Sequence, residues 1–262
     1  TNLNNMKNIR SIFTLLIVIA AAFLWGCGDD STTGGNPPGG TPPTINMKVG
    51  SIYVFTNDSL DTNGTTIRQT DIKTYQSFIA QGNYFGQPDA FMIRSETRDT
   101  GFTPAVTISI DTFYVRYDGT RFYQYGMLRL IDSTQPLSWD MVADFSKPIG
   151  EQWDVATINT TIGGIAVTAV VKGKINAQTP FTTNTTNISI NNYQIEIEAA
   201  VSSAIGGLGS IFVDYFIGYS DPATNPAGMV RVKLRPIKLS ALGVPIYRAA
   251  GLDTKIQYFV IP

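Results

Sequence analysis

From Ile45 onward, the sequence consists of short runs of β-branched and aromatic residues separated by Gly, Asn, Asp and Pro. Residues of the first kind favour strands, and residues of the second kind favour turns. Asp118-Gly119, between Tyr117 and Thr120, predicts a tight hairpin because these residues accept the positive φ angles of such a turn. Gly163-Gly164 predicts a second hairpin. The pattern therefore predicts an all-β fold of about eleven or twelve antiparallel strands.

A meander of hairpins can form a curved sheet, a half-barrel or a sandwich, and the sequence leaves these three arrangements open. Two segments, 74–81 and 138–145, do not alternate cleanly between apolar and polar residues, so a short helix is an alternative there. The predicted strands are 51–56, 65–72, 90–98, 105–117, 121–131, 153–162, 165–175, 188–202, 210–219, 229–239 and 255–261.

One short phrase occurs twice. Residues 48–55 and 147–155 share the pattern aliphatic-Gly-x-x-aromatic-x-apolar, with Tyr53 and Trp153 in the aromatic position. A glycine after an aliphatic residue lets the chain bend into a strand, and the aromatic residue then shares a face with the apolar residue two positions later. The phrase predicts two halves, 45–145 and 146–262. Chance similarity within a β-rich chain is the alternative.

The amino-terminal region has the layout of a secretory signal. Lys7 and Arg10 precede an apolar run from Ile12 to Trp25, which is shorter than the roughly 20 residues that a membrane-spanning helix needs. Residues 1–26 are therefore predicted to be a signal peptide with a helical apolar core. An ordinary membrane anchor and a buried helix with an incidental cysteine are the alternatives.

Leu24-Trp25-Gly26-Cys27 resembles the lipobox of bacterial lipoproteins. The resemblance implies that Cys27 is the acylated first residue of the mature chain. Residues 27–44 are rich in Gly and Pro and contain almost nothing to bury, which predicts a flexible tether. The β domain then spans 45–262.

Composition removes several classes of function. The chain has no histidine, and Cys27 is its only cysteine, so Ser-His-Asp and Cys-His catalysis and histidine-containing metal sites are excluded. We therefore expect no enzyme, no metal site and no cofactor. The net charge is -1 and no Lys/Arg cluster follows Arg10. Nucleic acid is not an expected partner, because binding it requires clustered basic residues.

Dense aromatic residues are the best indication of a binding surface. Trp139, Trp153, Tyr123 and Tyr125 are the candidate ligand-binding residues, although aromatic pairs across strands also stabilise a sheet. A carrier and a glycosidase are two alternatives to such a surface. A carrier of a hydrophobic ligand would place Ile165, Val167, Val170 and Val171 beside a cavity. A glycosidase would need two carboxylates, but Glu196 and Glu198 fit the solvent face of one strand better.

The opening phrase at Val49-Gly50, its second copy and the late Gly228-Met229-Val230-Arg231 segment resemble uncharacterised β-rich surface lipoproteins of bacteria. The resemblance brings no catalytic residues. It implies a non-enzymatic lipoprotein of the outer membrane, on its periplasmic face or at the cell surface, attached through an N-terminal acyl anchor. Its β domain would bind a glycan, lipid or protein ligand or support the envelope. The alternatives are a lipid carrier with a half-barrel cavity and a carbohydrate-binding surface module.

Overall fold

The computed structural model describes residues 42–162, 164–183, 187–219 and 226–262. The predicted signal helix, Cys27 and all but the last residues of the predicted tether lie outside these ranges. The described part is all-β, as predicted, with one 3-10 helix at Met127–Leu130 and no α-helix. Within these ranges, no helix has the length and apolarity needed to cross a membrane.

Fourteen strands are present in the described chain. They are β1 Ile52–Leu60, β2 Thr66–Tyr84, β3 Gln87–Asp99, β4 Val106–Tyr117, β5 Arg121–Tyr125, β6 Trp139–Asp144, β7 Gln152–Ile162, β8 Ile165–Thr182, β9 Ser189–Ser203, β10 Gly206–Gly218, β11 Gly228–Leu234, β12 Ile237–Ala241, β13 Val244–Ala249 and β14 Gly251–Val260.

The helix alternatives at 74–81 and 138–145 are wrong, because both segments lie largely or wholly within strands. In β2 the inward residues Thr74, Gln76 and Phe78 are buried, whereas the residues between them are half-buried. Two of these three inward residues are polar, and polar inward residues conceal the alternation that identifies a half-buried strand.

Twelve of the strands form one antiparallel sheet in the order β6-β5-β4-β3-β2-β1-β14-β11-β10-β9-β8-β7. The first six strands form one meander, the last six form another, and β1 pairs with β14 to join them. The edge strands β6 and β7 are not hydrogen-bonded to each other in the described chain, but β6 lies against β7, β8 and β9. The sheet is therefore a nearly closed barrel. Of the three predicted arrangements, the half-barrel is nearest to it. Strands β12 and β13 form a separate hairpin.

The repeated phrase has the same geometry in both places. Gly50 and Gly150 have φ angles of +87° and +90°, values that favour glycine. Each glycine donates its backbone N–H to a carbonyl oxygen of the next strand at 2.8 Å. Tyr53 and Trp153 then both enter the core. The two strands β1 and β7 thus begin in the same way, and the division of the domain at 145/146 stays a prediction.

The interior of the second meander is filled by apolar side chains, and the eleven inward residues that close this paragraph are each at most 4% exposed. A side chain with no accessible surface touches neither solvent nor a void large enough for water. Ile165, Val167 and Val171 face inward as a carrier would require, but Val171 is 0% exposed and Val170 points outward at 37%. The four residues therefore do not all border one cavity, since the neighbouring strand residues Val170 and Val171 face opposite ways. The inward residues are Val167, Ala169, Val171, Ile175, Ile195, Ile197, Ala199, Val201, Val213, Tyr215 and Ile217.

Candidate functional site

Five aromatic side chains form a continuous group on the outside of the barrel, which we call the outer aromatic surface. Its members are Tyr84 at the end of β2, Phe85 in the β2–β3 turn, Tyr114 on β4, Tyr125 on β5 and Trp139 on β6.

Strand pairing places these residues together. Tyr125 lies directly opposite Trp139 across the β5–β6 pair, so both side chains project from the same face. The adjacent pair, Gln124 and Asp140, is buried at 1% and 5% exposure and faces the barrel interior. Because successive side chains alternate between faces, Tyr125 and Trp139 must face outward.

The rings contact one another along the whole surface. Phe85 stacks on Tyr125 with ring centroids 4.0 Å apart and an interplanar angle of 2°. Tyr114 meets the edge of Phe85 at 4.9 Å, and Tyr84 and Trp139 extend the group at 5.0 Å from Tyr114 and 5.4 Å from Tyr125. The contacts hold each ring in one orientation, which produces a rigid aromatic surface.

Phe85 is the most unusual member of the group. It has a φ angle of +49° and is followed by Gly86 at +78°, so the turn is of the type in which both central residues are left-handed. A bulky residue with positive φ is a true outlier, because its Cβ crowds the following carbonyl. The ring is nevertheless 54% exposed. The backbone thus holds an aromatic side chain at the surface in a conformation that a glycine or asparagine would adopt more easily.

The structure brings together three of the four predicted binding residues. Tyr123 lies two positions before Tyr125 on β5 and faces the same side, with the guanidinium of Arg116 5.8 Å from its ring centroid. Trp139 and Tyr125 belong to the outer aromatic surface itself. The binding role of these residues stays a prediction.

Trp153, the fourth candidate ligand-binding residue, is not at this surface. It is 6% exposed and lies in the core, on the second meander. Gly173 lies directly opposite it on β8, and a Cβ on Gly173 would come within 2.5 Å of the indole ring. The missing side chain at Gly173 therefore provides the space that Trp153 fills.

Three members of the outer aromatic surface were not predicted from the sequence: Tyr84, Phe85 and Tyr114. A signal for the first two exists, because Phe85-Gly86 lies between the predicted strands 65–72 and 90–98 and a glycine there is compatible with a tight turn. Tyr114 lies within the predicted strand 105–117, but its outward direction depends on the register of β4 against β3.

Glu196 and Glu198, the two carboxylates that a glycosidase could use, both have hydrogen-bonding or ionic partners within the protein. Glu196 faces outward as predicted, but it is buried at 7% rather than solvated. It pairs with Lys174 at 2.7 Å and with Arg235, which also binds Asp214. These cations lower the pKa of Glu196 against the opposing effect of burial. Glu198 accepts a hydrogen bond from the Ser210 hydroxyl at 2.7 Å.

No protein-family model matches the sequence. No curated protein matches it either. Among the solved structures that the chain resembles are two whose matches each cover 84% of this chain and 100% of the matched chain. One is described as a "putative lipoprotein" from Parabacteroides distasonis, with 8% identity and a TM-score of 0.47. The other is described as a "putative exported protein with YmcC-like fold" from Bacteroides fragilis, with 10% identity and a TM-score of 0.43. Both scores lie below 0.5, so neither likeness carries a functional argument.

Proposed function

We propose that the chain is a lipid-anchored protein of the bacterial envelope whose β domain binds carbohydrate through the outer aromatic surface. The observation that carries this proposal is the exposed, left-handed Phe85 stacked on Tyr125. Residues held in sparsely populated backbone conformations cluster at active sites and ligand-binding sites.

The chemistry of the surface fits a sugar. One face of a pyranose ring carries C–H groups that pack on an aromatic ring, and the hydroxyls at its rim need hydrogen-bonding partners. The tyrosines supply both an apolar face and a hydroxyl, whereas Trp139 supplies an apolar face, because its indole nitrogen is buried. The five members carry no formal charge, so the surface suits a neutral ligand better than an ionic one.

The point at which the chain enters the β domain is compatible with a tether. The Tyr117 hydroxyl donates a hydrogen bond to the Pro43 carbonyl oxygen at 2.5 Å, and Ile45 and Met47 are buried in the core. Tyr117 lies on β4, three residues after Tyr114. A tether that ends at Pro43 would therefore join the domain on the strand that also carries part of the outer aromatic surface.

Binding is tested with the purified full-length chain in detergent on an array of bacterial glycans. We expect Phe85→Ala and Tyr125→Ala to weaken binding at least tenfold, since stacking residues often dominate binding energy. Tyr247→Ala is the matched control, because Tyr247 is an exposed tyrosine, at 38%, on the separate β12–β13 hairpin. An array that shows no binding, or an equal loss in the control, would contradict the proposal.

The anchor is tested separately by mass spectrometry of the chain extracted from bacterial membranes. We expect a chain that begins at Cys27 and carries acyl groups, and a Cys27→Ala variant without them. A wild-type chain with an intact amino terminus and no added acyl mass would refute lipid anchoring without affecting the carbohydrate proposal.

A further inference from the structure

The first part of β4 is an edge of the sheet that no neighbouring strand covers. Strand β5 pairs with β4 only at 115–117, and the chain leaves the strand conformation at Gly126 to begin the 3-10 helix. Among the described residues, no strand pairs with 106–113 on the side of β4 opposite β3. We call residues 106–113 the free edge of β4. Every second residue there directs its backbone N–H and C=O groups away from the sheet, which makes a template for another extended strand.

The side chains of the free edge of β4 are largely apolar and exposed. Val106, Ile108 and Ile110 are 50%, 40% and 55% exposed. Phe113 lies in the core, so Ile110, three residues earlier, projects from the outer face, and Ile108 shares that face with Ile110. A bulge occurs at Ile108, and residues 109–113 after it keep one register with β3. An exposed apolar strand edge of this kind favours pairing with another chain.

Other strand edges of the molecule carry residues that discourage such pairing. Charged side chains and proline are the usual protection. Strand β7, at the other end of the sheet from β6, exposes Asp154 and Asn159. Strand β13, in the separate hairpin, contains Pro245 and Arg248. The free edge of β4 contains no proline, and its only charged residue is Asp111. It is therefore the edge that is best suited to pair with a second chain.

We propose that the free edge of β4 pairs antiparallel with the same edge of a second copy of this chain. In a two-fold dimer, if residue i of one copy lies opposite residue j of the other, then j also lies opposite i. With the two-fold axis at Ser109, Ile108 of each copy lies opposite Ile110 of the other, and both aliphatic pairs lie on the outer face. The proposal is independent of carbohydrate binding at the outer aromatic surface.

The charges of the free edge of β4 are compatible with this pairing. With the axis at Ser109, the two Asp111 residues lie four residues apart, which is about 13 Å along the strands. That separation exceeds the screening length of about 8 Å at physiological salt, so the two carboxylates repel each other little. No other residue of the free edge carries a charge.

The chemistry of the edge favours a second copy over an unrelated strand. With one charge in the free edge of β4, there is little charge pattern by which to select a charged partner. Its own sequence supplies the match, because cross-strand pairs of apolar residues stabilise an antiparallel pair. The described part of each copy has one edge of this kind, so pairing closes at two copies. The paired segments are short, so we expect a reversible dimer.

The test is sedimentation velocity of the full-length chain in detergent, from low to high micromolar protein concentration. We expect the mass to rise from one copy to two. Ile110→Lys should weaken dimerisation at least tenfold, because a lysine on a strand edge opposes pairing, and Ile110 is exposed, so the fold should tolerate the change. Val170→Lys is the matched control. Val170 is an aliphatic residue, 37% exposed, on β8, which pairs with a strand on each side.

Hydrogen exchange locates the pairing within the chain. Backbone amides within residues 106–113 should exchange at least tenfold more slowly in the dimer than in the single copy, and Ile110→Lys should remove this difference. A single copy at every concentration would overturn the proposal, as would dimers that Ile110→Lys and Val170→Lys leave equally stable. Protection of 106–113 in a single copy that carries a co-purified peptide would also overturn it, because the occupant would then be a foreign strand.

Discussion

The two most deeply buried tyrosines, Tyr53 and Tyr215, differ in the surroundings of their hydroxyls and should respond in opposite ways to the same substitution. The Tyr53 hydroxyl donates to the Ala227 carbonyl oxygen and accepts from the Ala227 backbone N–H, both at 3.0 Å. Ala227 is 1% exposed, so water cannot replace this partner without rearrangement. Tyr53→Phe keeps the ring and removes both bonds. A buried group left unsatisfied costs about 1–3 kcal/mol, and we expect a loss of about 2–3 kcal/mol in unfolding free energy.

Tyr215 is the internal comparison. It is 0% exposed, and its hydroxyl has no hydrogen-bond partner in the described chain. Tyr215→Phe removes a polar atom that is already unsatisfied, so we expect a change within about 0.5 kcal/mol or a gain in stability. Urea unfolding of both variants, followed by circular dichroism, gives the two values. Equal losses in the two variants would refute the reasoning, because the hydrogen bonds of the Tyr53 hydroxyl would then make no difference to the cost of removing a buried hydroxyl.

Three further substitutions test other parts of the account. Gly173→Ala should cost about 1–3 kcal/mol in urea unfolding, because its Cβ would enter the ring of Trp153; an unchanged midpoint would show that the ring can move. Burial raises the pKa of Asp253 to about 6 from its ordinary value of 3.8. The unfolding free energy should therefore fall, by at most about 3 kcal/mol in total, as the pH rises from about 4 to about 6. Asp253→Asn should remove this fall in urea unfolding measured at the two pH values. Phe85→Gly relieves about 1–2 kcal/mol of left-handed strain and loses about 0.5–1.5 kcal/mol of stacking on Tyr125. A loss above about 2 kcal/mol would show that Phe85 serves stability rather than binding.

The sequence predicted the fold class because turns are encoded locally. Asp118-Gly119 forms the predicted hairpin, with Gly119 at a φ angle of +96° and the Asp118 N–H bonded to the Arg121 carbonyl oxygen at 3.1 Å. The predicted strand 121–131 ends early, since Gly126 adopts a φ angle of +78° and begins the 3-10 helix. A single glycine does not reveal that change, because it is equally compatible with a bulge.

The joining of the two meanders into one sheet could not be predicted in the same way. It depends on the pairing of β1 with β14, for example Phe55 with Ile256, across almost the whole length of the domain. Nothing local in either strand specifies the other, and a strand rich in apolar residues fits several neighbours. The hairpin strand β13 was missed for a related reason, since its residues are mostly exposed and do not alternate.

The candidate site was predicted in part. Tyr125 and Trp139 were selected for their chemistry, and the structure shows that both face outward. Trp153 was selected for the same chemistry but is buried. The difference lies in the partner strand, where Gly173 leaves space for an indole. Residue type therefore indicates what a side chain can bind. The pairing register of its strand decides whether that side chain is exposed or buried.

The central claim is that the outer aromatic surface binds carbohydrate. The most direct measurement is titration calorimetry of the full-length chain in detergent, using the strongest glycan from the array, with wild type and Trp139→Ala compared. Because Trp139 contacts Tyr125 at the surface and contributes an aromatic face, we expect the variant to bind at least tenfold more weakly while unfolding at a similar urea concentration. Equal affinity in the two proteins would contradict the claim and place any glycan site elsewhere on the barrel.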